Sequence, residues 1–220
     1  MKNDILRANI LSARLITNVA PGLAKEFGLN ETQKSIGIFT SDNDDIGTIA
    51  MDDATKKASV QVIYGGSMYA GAANANTKLA GEFTGILAGP DISEVKAGMD
   101  AVFDFFTGGA GAYFVSCNED DSILYLACTV SRIGTYFAKE YNIAEGSSIV
   151  YCIAPPLESI YAVDAALKAA NVEMTVFWKP PTNTNFSGAI FTGAQSDCVA
   201  AGKAYGQAVQ EVADLHIRLT

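Results

Sequence analysis

The sequence predicts a mixed α/β fold of the α+β type, in which one strand–helix–strand–strand–helix unit is used twice. Each copy is expected to form a mainly antiparallel sheet flanked by helices. Three observations carry this. Short β-branched runs alternate with Ala-rich segments of helical period. Matching segments recur in the same order about half a chain apart. Hydrophobic residues make up 49% of the 220 residues and charged residues only 18%, against about 25% in an ordinary soluble domain. That composition fills a core and leaves apolar residues over for packing against copies of the chain.

The elements follow in order. Residues 12–27 place Ala13, Ile16, Leu23 and Phe27 at helix-like spacing. Ser35–Thr40 is a short β-type run. Asp44–Lys57 has a helical pattern, and its Asp-rich start suits a helix N-terminus. Val60–Tyr64 is β-branched and alternating. A loop of Gly, Ala and Asn spans Gly65–Ala80, a strand returns at Glu82–Ala88, and a helix covers Asp91–Phe106 after Gly89-Pro90. The second half offers strand Ile123–Val130, helix Ser131–Tyr141, strand Ser148–Ala154, helix Leu157–Ala170 and strand Glu173–Trp178. Loop Lys179–Asn185, strand Ser187–Thr192 and helix Asp197–Asp214 complete it.

The repeat is read from several matches. Ala24-Lys25-Glu26-Phe27 matches Ala138-Lys139-Glu140-Tyr141, and Ser35-Ile36-Gly37-Ile38 matches Ser148-Ile149-Val150-Tyr151. Asp53 pairs with Asp164, Lys57 with Lys168 and, after a one-residue insertion, Val60 with Val172. Gly89 matches Gly193, Val95 matches Val199, and Ala97-Gly98 matches Ala201-Gly202. The join falls near Gly108–Ala112, which divides the chain into domains 1–110 and 111–220.

Composition excludes several function classes. A net charge of −9 and few clustered basic residues argue against nucleic acid and for a field that attracts cations. His216 is the single histidine, which removes Ser-His-Asp triads and multi-histidine metal sites unless it serves itself. Cys117, Cys128, Cys152 and Cys198 show no CxxC spacing and read as packed thiols of a reducing cytosol. A metal site of Cys117 and Cys128 with the acids of Asn118–Asp121 is the less favoured alternative. The start MKNDILRANILSARLI is broken by Asp4, Arg7 and Arg14, so no signal core is expected. No stretch reaches the roughly 18 apolar residues that span a bilayer. A cytoplasmic protein is the expectation.

The segment AVDAALKAANVEMTVF resembles the helix–strand motif of bacterial microcompartment shell domains: an Ala-rich helix ending in Lys-Ala-Ala, then Asn-Val and a strand. Together, SDNDDIG (41–47), YGGSMYAGAA (64–73), IAPPLESIYAVDAALK (153–168) and NFSGAIFTG (185–193) are similar to tandem-domain shell proteins of ethanolamine-utilization compartments. This resemblance covers the whole chain. It implies two circularly permuted shell domains and a homotrimer shaped as a pseudohexamer that tiles into a sheet with other shell proteins. It further implies a gated central pore, small acidic pores that bind ethanolamine, and no enzymatic activity. No cofactor is required; passage or binding of cobalamin through the open pore is an extension of the same resemblance.

Site residues follow from it one by one. Asp44, Asp45, Glu82 and Glu158 match the acids of the small pore, where converging carboxylates would draw a primary ammonium. Read from the residues alone, a solvated helix cap is the favoured reading of Asp44-Asp45, and it is the resemblance that turns the reading toward the pore. Phe114 matches an aromatic beside the same ligand, with core packing as its alternative. Gly66, Tyr69, Asn183 and Asn185 match loops around the central pore; Gly65, Gly66 and Gly71 make the first loop permissive, and Tyr69 is bulky enough to plug a channel. Lys57 and Lys168 match the lysine at the lattice edge, or are solvated lysines near helix C-termini. Two other functions are weighed. One is a free-standing amine-binding or sensor protein using the same acidic pocket; the other is an enzyme working through Asp45 and Glu158.

Overall fold

The structure is a computed structural model and describes residues 1–67, 81–109, 111–180, 182 and 184–217. The chain divides into two compact units that interleave in sequence. One holds Ala8–Ala112 and Gly134–Glu140; the other holds Met1–Arg7, Tyr113–Ile133 and Tyr141–Thr220.

The first unit is a four-stranded antiparallel sheet of order β2-β3-β5-β4. Its strands are β2 (Ile10–Ile16), β3 (Ser35–Ser41), β4 (Gln61–Ser67) and β5 (Phe83–Gly89). Helices α2 (Asp44–Lys57) and α3 (Ile92–Thr107) pack on each other and on this sheet. Burial of Phe39, Ile46, Ile49, Met51, Leu87, Val95 and Val102 makes the core between them. The Phe39 ring meets Phe83 at 5.9 Å and the edge of Phe106 at 6.3 Å. A smaller apolar cluster of Ile36, Ile86 and Ala88, with Ile16, Val19 and Phe27, completes it. Two short helices, α1 (Pro21–Glu26) and α4 (Thr135–Glu140), belong to the same unit.

The second unit repeats this order as β7-β8-β10-β9 and extends it at one edge with β6 and β1. Its strands are β1 (Ile5–Leu6), β6 (Phe114–Ser116), β7 (Leu124–Val130), β8 (Ser148–Ala154), β9 (Val172–Trp178) and β10 (Ser187–Gly193). Helices α5 (Pro156–Ala169) and α6 (Gln195–Asp214) close over a core of Val150, Cys152, Ala162, Ala166, Phe191, Cys198, Tyr205 and Val209.

The residues 12–27 read as one helix are instead β2 followed by α1. Ala13 and Ile16 lie in the strand, Leu23 in the helix, and Phe27 caps it, so the helix-like spacing ran across two elements. Pro21 sits at the first helical position, where its fixed φ and missing N–H start a helix rather than continue one.

Hydrogen bonds also correct the register of the repeat. Ala58 and Ala170, 112 residues apart, cap α2 and α5 with nearly the same φ and ψ (−145°, 158° and −147°, 158°). Each accepts from the residue two further on, Val60 or Val172. Asp164 is therefore the counterpart of Asp52 rather than Asp53, and Lys168 that of Lys56 rather than Lys57. Likewise Val95 N–H bonds to Asp91 and Cys198 N–H to Ala194. Val95 and Cys198 are both buried while Val199 is exposed, so Cys198, not Val199, is the partner of Val95.

Among the described residues no helix is long and apolar enough to cross a membrane, and no group of three or more His, Cys, Asp or Glu is placed to hold a metal ion. Cys117, Cys152 and Cys198 are buried and Cys128 half-buried, all as free thiols. Burial, with Asp214 and Glu158 nearby, pushes the Cys117 thiol up to about 11, and burial holds Cys152 well above its ordinary value.

Candidate functional site: an acidic junction at the start of α2

The junction forms where β3 hands over to α2. Asn43 is the N-cap, its side chain accepting the Ile46 N–H at 2.8 Å. The Ser41 hydroxyl, buried beneath it, donates to the Asn43 carbonyl at 2.7 Å. Asp44 and Asp45 fall in the first turn, Asp45 buried and Asp44 half-buried. The turn entering β5 comes alongside: the Glu82 N–H donates to the Ser41 carbonyl at 2.9 Å. Gly81 has φ +75°, and a Cβ there would press on the same carbonyl, so this close approach requires glycine.

Three carboxylates therefore converge. Asp44 accepts from the Ser67 hydroxyl at the end of β4, yet burial raises its carboxyl above the usual range. Glu82 is pushed up to about 7, first by burial, then by the charges of Asp44 and Asp42. Asp42 is held by Asn9, whose backbone N–H and side-chain amide donate to its two oxygens at 2.7 and 2.8 Å. A carboxyl that releases its proton near neutrality, beside a second desolvated carboxylate, favours a compact cation.

The structure brings Asp44 and Glu82 together in the first unit, and Asp45 is the buried neighbour of Asp44 in the same helical turn. Phe114 and Glu158 belong to the second. Phe114 is buried in β6, its ring meeting Phe186 at 6.3 Å in an edge contact. Glu158 stands in the first turn of α5. Two contributors to the junction were not singled out from sequence. Asp42 lies inside the quoted SDNDDIG run, and its direct neighbourhood to the acid pair was a usable signal. Ser67 was assigned to a loop.

Gly65 and Gly66 are corrected from loop to strand. Both lie in β4, paired with Gly85 and Thr84 of β5. Neither has positive φ; what they answer is crowding, since a Cβ on Gly66 would strike the Tyr64 ring. Asn185 has φ +60°, and its N–H donates to the Thr182 carbonyl at 3.1 Å. Tyr69, Gly71 and Asn183 lie outside the described residues. Lys57 is exposed and bonded to Asp53 at 2.6 Å, with Lys56 on the other oxygen at 3.0 Å. Lys168 is exposed and paired with Asp164 at 2.5 Å.

Comparison with known proteins decides the family. The Bacterial microcompartment shell protein EutL of Clostridium perfringens (strain 13 / Type A) is 56% identical over 213 residues, covering 97% of both chains. The chain belongs to the EutL family of bacterial microcompartment shell proteins. A BMC domain matches residues 35–116, from the start of β3 to the end of β6. The crystal structure of EutL from Clostridium perfringens superimposes with a TM-score of 0.95 at 54% identity, covering 100% of this chain and 99% of that one. The ethanolamine utilization protein EutL from Leptotrichia buccalis gives the same TM-score and identity, covering 99% and 100%. As a member of the EutL family the chain is a structural component of a microcompartment shell and not an enzyme.

Proposed function

We propose that the chain is a pore-bearing tile of an ethanolamine-utilization microcompartment shell, assembling as a homotrimer that tiles with other shell proteins. Its acidic junction binds or passes ethanolamine. The observation that carries this is the convergence of Asp44 and Glu82 beside buried Asp45, two of them with carboxyls raised by burial. Ethanolamine is a small ammonium with one hydroxyl, which suits carboxylates and the Ser67 hydroxyl together. Phe114 and Glu158 complete the ligand set by family resemblance. On the same resemblance, Gly66, Tyr69, Asn183 and Asn185 surround a gated central pore wide enough for cobalamin. Lattice contacts are assigned to Lys168 and, in the first half, to Lys57. Lys56 joins them as the structural counterpart of Lys168.

Calorimetric titration with ethanolamine tests the site. Asp45→Asn and Glu82→Gln should each weaken binding about tenfold or more. Propanol, which lacks the ammonium, should not bind. Equal ethanolamine affinity in both variants and the parent protein overturns the assignment. Sedimentation of the purified chain as a trimer, and sheets or tubes on overexpression, separate a shell tile from a free-standing amine sensor.

A further inference from the structure

The acidic junction contains one acid that the ethanolamine reading does not use. Asp42 follows the last residue of β3, and the ends of two ladders set its place. Ser41 of β3 pairs with Phe83 of β5 on one side and with Ile10 of β2 on the other. One step further along both ladders, Asn9, Asp42 and Glu82 stand in a row across the ends of three strands. Backbone bonds fix the row: the Asp42 N–H donates to the Asn9 carbonyl at 3.2 Å and the Glu82 N–H to the Ser41 carbonyl at 2.9 Å. Residues opposite one another on neighbouring strands present their side chains to the same face.

Like charges placed opposite one another cost stability, and Asp42 could relieve that cost by turning away. Asn9 prevents it. Its backbone N–H holds one Asp42 oxygen at 2.7 Å and its side-chain amide holds the other at 2.8 Å. Rotating the carboxylate out of the row breaks both bonds. Each oxygen still has room for a further donor. Asn9 is exposed, whereas Asp42 and Glu82 are half-buried, so the tether is reached by solvent and the two acids less so. After burial, the groups that act on Glu82 are both acids: Asp44 in the first turn of α2, then Asp42 at the end of β3.

We propose that Asn9 and Asp42 are positioning residues of the junction: Asn9 holds the Asp42 carboxylate opposite Glu82, and this held charge makes the uptake of an ammonium depend steeply on pH. The role rests on the junction being the ethanolamine site. A negative neighbour favours the protonated form of Glu82, and a protonated Glu82 offers an ammonium no charge. At low pH Asp42 therefore works against binding by way of Glu82. Once Glu82 is ionised, Asp42 adds to the attraction. With a Glu82 midpoint at about 7, the ionised fraction rises about tenfold between pH 6 and pH 8. A midpoint about half a pH unit lower gives only about a fourfold rise, and apparent affinity follows the competent fraction.

Carbon-13 NMR of the ligand-free full chain, labelled at its glutamate carboxyls, follows Glu82 directly, with Glu82→Gln assigning the signal. The midpoint should lie at about 7 in wild type, about half a pH unit lower in Asp42→Asn, and lower by a smaller step in Asn9→Ala. Calorimetric titration should show ethanolamine affinity rising about tenfold from pH 6 to pH 8 in wild type and about fourfold in Asp42→Asn. Circular dichroism checks folding. Asn9→Ala alters an exposed side chain and carries the test if Asp42→Asn does not fold. A Glu82 midpoint unchanged in the folded variants overturns the role of both residues, even where ethanolamine binds. A midpoint that moves in Asp42→Asn but not in Asn9→Ala overturns the tether. Wild-type protein that binds no ethanolamine at pH 8, while the midpoints still move, overturns the site reading and with it the control of uptake.

Discussion

Asp52 and Gly134, eighty-two residues apart, are joined by a buried carboxylate–amide contact in which both carboxylate oxygens receive one N–H, at 3.0 and 2.8 Å. Gly134 fits because a Cβ there would collide with the Thr55 hydroxyl and the Asp52 carbonyl. Burial raises the Asp52 carboxyl, while the amides of Phe137 and Gly134 and the nearby Lys56 ammonium pull it down. Asp52→Ala leaves the Gly134 and Phe137 N–H groups without their acceptor and should cost about 2–4 kcal/mol. Hydrogen exchange should accelerate first at Gly134–Glu140, with a lower urea midpoint for the first unit. Unchanged exchange in that segment would show that Asp52 does not hold it.

That contact also marks where the sequence stopped being legible. The helix over Asp44–Lys57 was read with its observed bounds from its helical pattern and Asp-rich start, and the structure adds Asn43 as its cap. The strand Ser148–Ala154 was equally plain from its β-branched run. The register of the repeat was not. Two lysines stand side by side at Lys56-Lys57, and residue matching chose the one that backbone hydrogen bonding rejects. Strands β1 and β6 were missed because they are only two and three residues long, and β2 because it is a half-exposed edge strand. At the site, Asp44, Asp45 and Glu82 were named through resemblance. The raised carboxyl of Glu82 depends on burial and on Asp42, which only folding brings near.

Glu82 sets a pH dependence whose sign is fixed. Its folded value of about 7 lies above the ordinary 4.5, so the folded state keeps a proton that the unfolded chain releases. Its contribution to stability is complete below about pH 4.5 and is lost as pH rises to about 7. Asp44, also raised, acts in the same direction. Glu82→Gln should therefore unfold at a higher urea concentration than wild type at pH 8, with the difference shrinking toward pH 5. Glu82 is half-buried, so solvent screening reduces the size of the effect. An ammonium in the site favours the carboxylate, so ethanolamine affinity should rise between pH 6 and pH 8 in wild type and stay flat in Glu82→Gln. A Glu82→Gln stability curve parallel to wild type would refute the shift.

In the second unit, Gly188 pairs with Ile153 of β8 and Trp178 of β9, between two strands. A Cβ at this position would overlap the Cys152 carbonyl oxygen as well as the Ile153 side chain. Rotating a side chain does not move a carbonyl, so Gly188→Ala must displace the strand. The cost should be about 1–3 kcal/mol. Gly146, with φ +81° and open space around it, offers the contrast: Gly146→Asn should stay within about 1 kcal/mol, since asparagine tolerates left-handed backbone. Thermal melts of the two variants would decide, and equal losses would contradict the steric account.

The core of the second unit contains one fully buried polar pair whose removal separates hydrogen bonding from packing. The Tyr205 hydroxyl lies 2.8 Å from Ser159 Oγ, joining α6 to α5, and both residues are 0% exposed. Tyr205→Phe keeps the ring and leaves the serine hydroxyl without that partner, which should cost about 1–2 kcal/mol. Ser159→Ala removes the phenol's bond to Oγ instead, at a similar cost. The double variant replaces both groups by apolar ones, so it should lose less than the two single losses added together. Urea unfolding of the four proteins at pH 7 measures the coupling. Strict additivity would show that the 2.8 Å contact contributes nothing to holding α5 against α6.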